Sequence, residues 1–174
     1  LLPAGSPLKT YQMIAHPTQV WSNLSVSIFA DTAGVNGGSN LVDNVHLTYT
    51  GQPSSVTTCM DPNRPKTFPS GADDAANLLT NGDFASGALA PWSASGTITT
   101  QITAGVLEFI RPTNTAPAGV IAQNTGQAIA TAGQILTASF QLGNSSVVRK
   151  RVTVWMHEAD FSDGSVCTFW VPPG

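Results

Sequence analysis

The chain has 174 residues, of which 41% are hydrophobic and only 10% are charged, and its formal net charge is −3. This length supports one domain with its own core. Soluble domains usually carry about 25% charged residues. Here Thr, Ser, Ala, Asn and Gly replace charge, which is typical of all-β proteins with short strands and many turns. The negative charge predicts no nucleic-acid partner, and no apolar run approaches the ~20 residues of a membrane span.

The first part of the chain, residues 1–50, predicts three strands. They are Thr10–His16, Trp21–Ala30 and Asn40–Thr50. In the second strand Leu24, Val26 and Ile28 point to one side, and in the third the residues from Leu41 through Tyr49 alternate in the same way, which is the period of a half-buried strand. Three strands alone cannot bury both faces of a sheet. Residues 1–50 therefore need partner strands from elsewhere.

Residues 51–76 show no periodicity and are rich in Pro, Ser, Thr and Gly, so they predict a linker or an ordered external loop. Cys59 lies in this segment, and the one other cysteine is Cys167. Two cysteines in a chain with little charge favour one disulfide formed in an oxidising compartment. We therefore expect a Cys59–Cys167 bond and a secreted or cell-surface location.

Residues 77–174 predict the remaining strands. They are Leu78–Phe84, Ser95–Thr103, Val106–Arg111, Gly119–Gln123, Ile135–Gly143, Val147–Glu158 and Ser165–Val171. No convincing helix is present. About ten strands with regular turn signals predict a β-sandwich or jelly roll.

One stretch resembles a known family. Asn77-Leu-Leu-Thr-Asn-Gly-Asp-Phe84, a Gly-containing gap and Trp92 are similar to the first strand of galactose-binding-like jelly rolls. These include carbohydrate-binding modules of the family 4/9 type and related bacterial surface domains. The resemblance implies that this opening strand lies beside a closing strand ending in Asp-Asn-Val-x-Leu. That phrase is present as Val42–Leu47, but it precedes the opening one.

The resemblance therefore implies an all-β jelly roll of about 8–10 antiparallel strands in circularly shifted order. Residues 77–174 would be its N-terminal half, residues 1–50 its C-terminal half, and residues 51–76 the linker between them. Three hypotheses account for this order. The chain is one period of a tandem-repeat protein, or a subunit that exchanges segments with neighbouring copies along a filament, or a circular permutant that closes on itself.

We expect a structural function: a repeating unit of an extracellular filament, sheath or surface array, with other copies of itself as partners. The alternative is a carbohydrate-binding or adhesion module of a larger secreted protein. We expect no enzymatic activity and assign no catalytic residue, because hydrolase, metalloprotease and nucleotide-binding motifs are absent from the sequence.

Two places in the sequence are candidate calcium sites. Asp160 and Asp163 lie in an acidic turn, and oxygen-rich turns are able to hold Ca²⁺. The resemblance implies a second site at Asp83 and Asp43, although Ala85 stands where the family has a glutamate. A structural Ca²⁺ is thus the one cofactor considered.

The aromatic residues divide into core and surface candidates. The resemblance implies that Phe84, Trp92 and Trp21 fill the core. Trp155 and Trp170 lie on predicted strands and are the candidates for stacking on a sugar, together with Tyr11. The adjacent basic cluster, residues 149–151, is interpreted as a solvated strand end.

Overall fold

In the computed structural model, the described residues are 8–30, 39–49, 57–63, 76–113, 119–129, 132 and 134–174. These residues form eleven strands and no helix. The strands are β1 (Lys9–Ala15), β2 (Leu24–Ala30), β3 (Asn40–Tyr49), β4 (Thr58–Met60), β5 (Ser93–Ser95), β6 (Thr99–Thr103), β7 (Val106–Ile110), β8 (Gly119–Asn124), β9 (Leu136–Asn144), β10 (Lys150–Glu158) and β11 (Gly164–Val171).

The strands form two antiparallel sheets that face each other. The six-stranded sheet has the order β4-β1-β9-β3-β7-β6, and the five-stranded sheet has the order β11-β10-β2-β8-β5. Apolar side chains from both inner faces fill the space between them. The predicted all-β sandwich is therefore confirmed.

The three strands from residues 1–50 are inserted between strands that come later in the chain. β1 lies between β4 and β9, β3 lies between β9 and β7, and β2 lies between β10 and β8. Each has hydrogen-bonded neighbours on both edges. Both sheets are thus built from the two halves together, and one chain supplies both halves.

Alternation of side chains along β9 and β11 places one face of each strand in the core. In β9 the side chains of Leu136, Ala138, Phe140 and Leu142 are all buried. In β11 the burial alternates residue by residue, so that Phe169 faces the core and Trp170 faces outward. This alternation places the aromatic side chains of the five-stranded sheet on two opposite faces.

The predicted opening strand Leu78–Phe84 is wrong as a strand, since these residues form bends and turns. Asn81 and Phe84 have φ angles of 53° and 48°, in the left-handed region that an extended strand does not use. Gly82 approaches the backbone of Val45 so closely that a Cβ atom there would overlap the Val45 carbonyl. The turn therefore depends on glycine at this position.

The opening and closing segments nevertheless lie side by side. The Leu78 N–H donates to the Leu47 carbonyl at 2.8 Å, and the Val45 N–H donates to the Gly82 carbonyl at 2.8 Å. The Asn77 side-chain oxygen accepts a hydrogen bond from the Leu47 N–H at 2.9 Å. The contact implied by the resemblance is thus made within one chain.

Two other predicted strands are irregular. The register of β3 against β9 shifts between Asp43 and His46, so the predicted single face from Leu41 through Tyr49 is interrupted. The predicted strand Ser95–Thr103 is split into β5 and β6, which belong to different sheets. Gly96, with a φ of 80°, lies at that break, where a residue without a Cβ atom turns the chain at little cost.

The segment predicted as a linker contributes β4, which pairs antiparallel with β1. From β4, Cys59 forms a disulfide with Cys167 on β11, with a Cα–Cα distance of 5.6 Å. Beside it the Thr57 hydroxyl donates to the Ser165 hydroxyl at 2.8 Å. The predicted disulfide is confirmed, and it joins the edge strands of the two sheets.

We expect the double variant Cys59→Ser/Cys167→Ser to lose about 2–5 kcal/mol of unfolding free energy, because the bond closes a long loop in the unfolded chain. The sequence separation of the two cysteines is 108 residues. Urea unfolding monitored by tryptophan fluorescence measures the change. Reduction of the wild-type protein should produce the same loss, and an unchanged free energy in both cases would contradict the prediction.

Candidate binding face

The outer face of the five-stranded sheet exposes a group of large apolar side chains. Trp155 on β10 is half-buried, while Val166 and Trp170 on β11 are 50% and 40% exposed. Phe161, in the turn between these strands, is 56% exposed. These four residues are called the aromatic face below. They lie together because outward-facing residues of adjacent strands are neighbours.

Gly164 makes room for the indole of Trp155. A Cβ atom at Gly164 would lie 2.3 Å from the Trp155 indole nitrogen and 2.8 Å from the Met156 carbonyl oxygen. The indole therefore lies across the start of β11. Any larger residue at Gly164 would displace it.

The turn after β10 holds Phe161 in an uncommon conformation. Its φ is 62°, a region that bulky residues seldom occupy. Its N–H donates to the Glu158 carbonyl at 2.9 Å. The ring stacks on His157, with centroids 4.3 Å apart and planes at 14°, and it lies 5.2 Å from the Trp155 ring.

His157 lies beneath this ring and is buried. Its Nδ1 is 2.7 Å from the Glu158 carbonyl oxygen and its Nε2 is 2.9 Å from the Ser27 hydroxyl oxygen. A carbonyl only accepts hydrogen bonds, so Nδ1 carries the proton and Nε2 accepts from Ser27. Burial lowers the pKa of His157, because removal from water disfavours the charged ring; the bond to the Glu158 carbonyl and the charge of Glu158 oppose this shift.

A serine paired with a histidine is also part of many nucleophilic catalytic sites. Here the third partner is a backbone carbonyl, Ser27 is only 4% exposed, and Phe161 stacks on the imidazole. These features restrict access to the hydroxyl. The pair supports a structural role, and the expected absence of enzymatic activity stays a prediction.

The carboxylates of the acidic turn anchor a neighbouring loop. Glu158 accepts hydrogen bonds from the Ser22 N–H and hydroxyl at 2.6 and 2.7 Å and from the Asn23 N–H at 3.1 Å. Asp163 accepts hydrogen bonds from the Trp21 indole N–H at 2.9 Å and the Thr18 N–H at 2.8 Å. Burial by itself would raise the pKa of Asp163, but these hydrogen bonds lower it overall.

The proposed calcium ligands in that turn therefore already have protein partners. Asp163 receives a third bond from the Gly164 N–H at 2.9 Å. Asp160 accepts from the Ser162 N–H at 2.9 Å. Both carboxylates stabilise the turn geometry that displays Phe161.

The second pair of calcium candidates lies beside a polar cavity of about 270 Å³, lined by Asn44, Val45, His46, Asn77, Leu79, Asn81, Gly82 and Asp83. Burial raises the pKa of Asp43; the Asn44 N–H bond opposes this rise, and the nearby charge of Asp83 adds to it. Within the described parts of the chain, no group of three or more His, Cys, Asp or Glu side chains is placed to hold a metal ion. Calcium binding here stays a prediction.

The basic cluster, predicted as a solvated strand end, is divided by the alternation of β10. Lys150 is buried, and burial lowers its pKa. Arg149 and Arg151 are exposed. The Arg149 guanidinium lies over the Trp170 ring at 4.3 Å from the centroid, and that of Arg151 lies at 5.9 Å.

Tyr11, the third candidate for sugar stacking, faces the core and has no exposed surface. Its ring meets Phe169 edge to face at 5.1 Å, and its hydroxyl accepts a hydrogen bond from the Asn63 amide at 2.8 Å. Burial raises its pKa to about 12. The prediction for Tyr11 is wrong because its side chain lies on the face of β1 that points into the core.

The three residues implied as core are buried: Phe84, Trp92 and Trp21. Phe84 and Trp92 contact each other with centroids 5.8 Å apart. Sequence reasoning missed Phe161 and the Ser27–His157 pair. The sequence does contain a signal for Phe161. It is an aromatic residue inside an otherwise acidic turn, and such a turn gives no reason to expect a buried ring.

Comparisons of the chain with protein-family models, with curated proteins and with solved structures found no match. Among the described residues no helix is long and apolar enough to cross a membrane. The Cys59–Cys167 bond is consistent with an extracellular location.

We expect the unfolding free energy to decrease as the pH falls below about 6.5, the ordinary pKa of histidine. The pKa of His157 is lowered in the folded state, so below 6.5 the unfolded chain binds a proton that the folded chain does not. Stability is therefore lost from about pH 6.5 down to the folded pKa and changes no further below it from this group. Urea unfolding across this pH range measures the slope.

The variant His157→Gln should lose this part of the slope, whatever its stability at neutral pH. His46→Gln, which removes a histidine from the other sheet, is the matched control and should keep it. An equal slope in wild type and His157→Gln would contradict the assignment.

Proposed function

We propose that the chain is a structural unit of an extracellular assembly, such as a filament, sheath or surface array. Its jelly roll is in circularly shifted order, and its two halves are held together within one copy or between successive copies. The observation that carries this proposal is that β1, β2 and β3 all pair with strands of the other half: β1 with β9, β2 with β8 and β10, and β3 with β7 and β9. The two halves are interdependent, because neither completes a sheet by itself.

The strand order supports the circular shift. We number the strands in the shifted order, so that β7 through β11 become strands 1 to 5 and β1 through β3 become strands 6 to 8. When the outer strands β4, β5 and β6 are left out, the sheet orders β7-β3-β9-β1 and β8-β2-β10-β11 become 1-8-3-6 and 2-7-4-5 in this numbering. That is the order of a jelly roll wound as two Greek keys, and its first strand, β7, belongs to the half that the resemblance makes N-terminal.

The start of β1 lies close to the residues that follow β11. Lys9 and Gly174 line the same cavity of about 230 Å³. A strand β1 supplied by another copy would meet the same residues at this place. Each contact between the two halves is able to form within one copy or between two copies, and segment exchange requires this.

The disulfide joins β4 of the linker segment, which pairs with β1 of the first half, to β11 of the second half. An exchanged assembly would therefore be covalently linked from copy to copy. A chain closed on itself would carry the bond internally. The position of this bond is a direct test of which chain completes which sandwich.

We expect Cys59→Ser and Cys167→Ser variants to form a disulfide-linked heterodimer when they are refolded together under oxidising conditions. Neither variant is able to form the native bond alone. In an exchanged pair, Cys59 of one chain meets Cys167 of the other. Non-reducing electrophoresis with differently sized tags detects the product, and electron microscopy of the wild type then shows whether assemblies extend.

Cys59→Ser refolded alone is the control, because only non-native bonds are possible there. Two results together would contradict the proposal. The first is that no heterodimer forms above the level of this control. The second is that the wild-type protein remains a monomer at high concentration in sedimentation experiments.

The aromatic face favours a second candidate function, a glycan-binding module. Exposed flat rings on one outer sheet face are surfaces on which sugar rings stack. Trp155 lies opposite Val166 in the strand register, and Trp170 is four residues further along β11, about 13 Å away at the usual rise. This length exceeds a single sugar ring and is suited to a polysaccharide chain.

We expect Trp155→Ala and Phe161→Ala to weaken retardation in polysaccharide-containing native gels by about fivefold each, since each removes an aromatic stacking partner. Gln101→Ala, an exposed position on the six-stranded sheet, should leave retardation unchanged. Equal retardation of all three variants and wild type would exclude the aromatic face as the binding surface.

A further inference from the structure

We propose that β11 pairs edge to edge with β11 of a second copy of this chain, antiparallel and about a two-fold axis, so that the two five-stranded sheets become one continuous sheet. This inference rests on the proposed assembly, because it names a contact between copies. It is distinct from the exchange of segments, which concerns the interior of the sandwich.

Among the described strands, β11 is the least protected of the four that lie at sheet edges. β4 and β5 have three residues each and β6 has five, whereas β11 has eight. Proteins usually protect an edge strand by keeping it short or by placing charged residues, proline or a bulge in it. β11 contains no charged residue and no proline, and its register against β10 is unbroken. Its edge is therefore a template for another strand.

The backbone groups that face the free edge belong to Val166, Thr168 and Trp170. The Glu158 N–H donates to the Asp163 carbonyl, and these two residues continue the ladder between β10 and β11. In an antiparallel ladder, residues that bond to the neighbouring strand alternate with residues that point away from it. Asp163 and every second residue after it therefore bond to β10. Val166, Thr168 and Trp170 lie between those residues and direct their N–H and C=O groups outward.

This edge is open to a partner strand. Val166, Thr168 and Trp170 are exposed. The Cys59 Sγ lies 3.8 Å from the Val166 carbonyl oxygen, but a disulfide sulfur carries no hydrogen to donate, and among the described residues no other group meets these backbone donors and acceptors. Two copies would exchange about six backbone hydrogen bonds through these three residues of each chain.

The outward side chains of β11 are complementary to themselves in one antiparallel register. With Thr168 opposite the partner's Thr168, Val166 lies opposite the partner's Trp170, and pairs of an aromatic and a β-branched residue stabilise sheets. A shift of two residues one way places Trp170 opposite the partner's Gly164, which offers no side chain. The opposite shift places Val166 opposite the partner's Pro172, which has no N–H to donate. The register centred on Thr168 is therefore favoured.

The charges at the two ends of β11 favour a second copy as the partner. Asp160 and Asp163 lie in the turn before β11, whereas the Arg149 guanidinium lies over the Trp170 ring at the other end. Antiparallel pairing brings the arginine end of each copy beside the acidic turn of the other. Complementary charges fix the register of an interface and disfavour other partners.

The first test is the association of the wild-type protein. Only three residues of each edge form the contact, and interfaces below about 1,200 Å² are typical of weak complexes. We therefore expect dimers with a dissociation constant in the micromolar to millimolar range. Sedimentation velocity over a series of protein concentrations measures this constant.

Two variants block the edge without removing a bond to β10. Thr168→Pro removes an N–H that faces the free edge, and Val166→Lys places a charge there, as natural edge strands do. Each should raise the dissociation constant by about tenfold or more, since each change acts twice about the two-fold axis. Ala94→Lys adds the same charge to β5, at the other edge of the same sheet, and should leave the dimer unchanged. Thermal midpoints establish that all three variants are folded.

Engineered cysteines test the register, because both native cysteines are already paired. Thr168→Cys should crosslink with itself on mild oxidation, since opposed residues of a hydrogen-bonded pair have Cα atoms about 5.5 Å apart, within reach of a disulfide. Val166→Cys and Trp170→Cys should crosslink with each other and not with themselves, because like positions lie about 13 Å apart along the strands. Non-reducing electrophoresis detects the products.

The outcomes separate this contact from the assembly as a whole. Weaker dimers in both edge variants, together with this crosslinking pattern, support the inference. Dimers that persist unchanged in both edge variants overturn it and keep the assembly, whose contact then lies elsewhere. Self-crosslinking of Val166→Cys overturns the register and the pairing derived from it. A monomeric wild-type protein overturns the inference, and the assembly also fails when Cys59→Ser and Cys167→Ser give no heterodimer.

Discussion

The fold depends on one constraint: three strands from the start of the chain must be inserted between strands that come later. β1, β2 and β3 each have neighbours on both edges, so their backbone donors and acceptors are satisfied only when both halves are present. Unpaired backbone groups in a sandwich interior are costly. The two sheets are therefore formed together, and the Cys59–Cys167 bond then joins their edges.

The same insertion determines how the aromatic face is built. β10 pairs with β2 on one edge and β11 on the other, so the aromatic side chains of the second half lie on a sheet completed by the first. Ser27 of β2 bonds His157, which supports Phe161 from below. A structural unit and a binding surface are thus compatible, because exchange of the first half would reproduce the same face.

Sequence patterns predicted the parts of the fold in which side-chain alternation determines burial. β9 alternates apolar and polar residues from Leu136 through Leu142, and its apolar side chains form a core face. The patterns failed where backbone conformation, rather than side-chain alternation, determines the local structure. Leu78–Phe84 is apolar at its start, but the left-handed conformation of Asn81 and Phe84 turns it out of the strand. β4 has only three residues, too few to show a period, and it is ordered by pairing with β1.

The aromatic face was only partly predictable for the same reason. Trp155 and Trp170 were recognised as strand residues that could face outward, but the inward direction of Tyr11 depends on which face of β1 meets the other sheet. Phe161 joins the face because the turn holds it at a positive φ, over a histidine bonded to a distant strand. The arginines were interpreted as a solvated end, since a sequence does not reveal that Trp170 lies directly across from Arg151. Register between strands, rather than composition, brings these residues together, and it is the property that local patterns specify least.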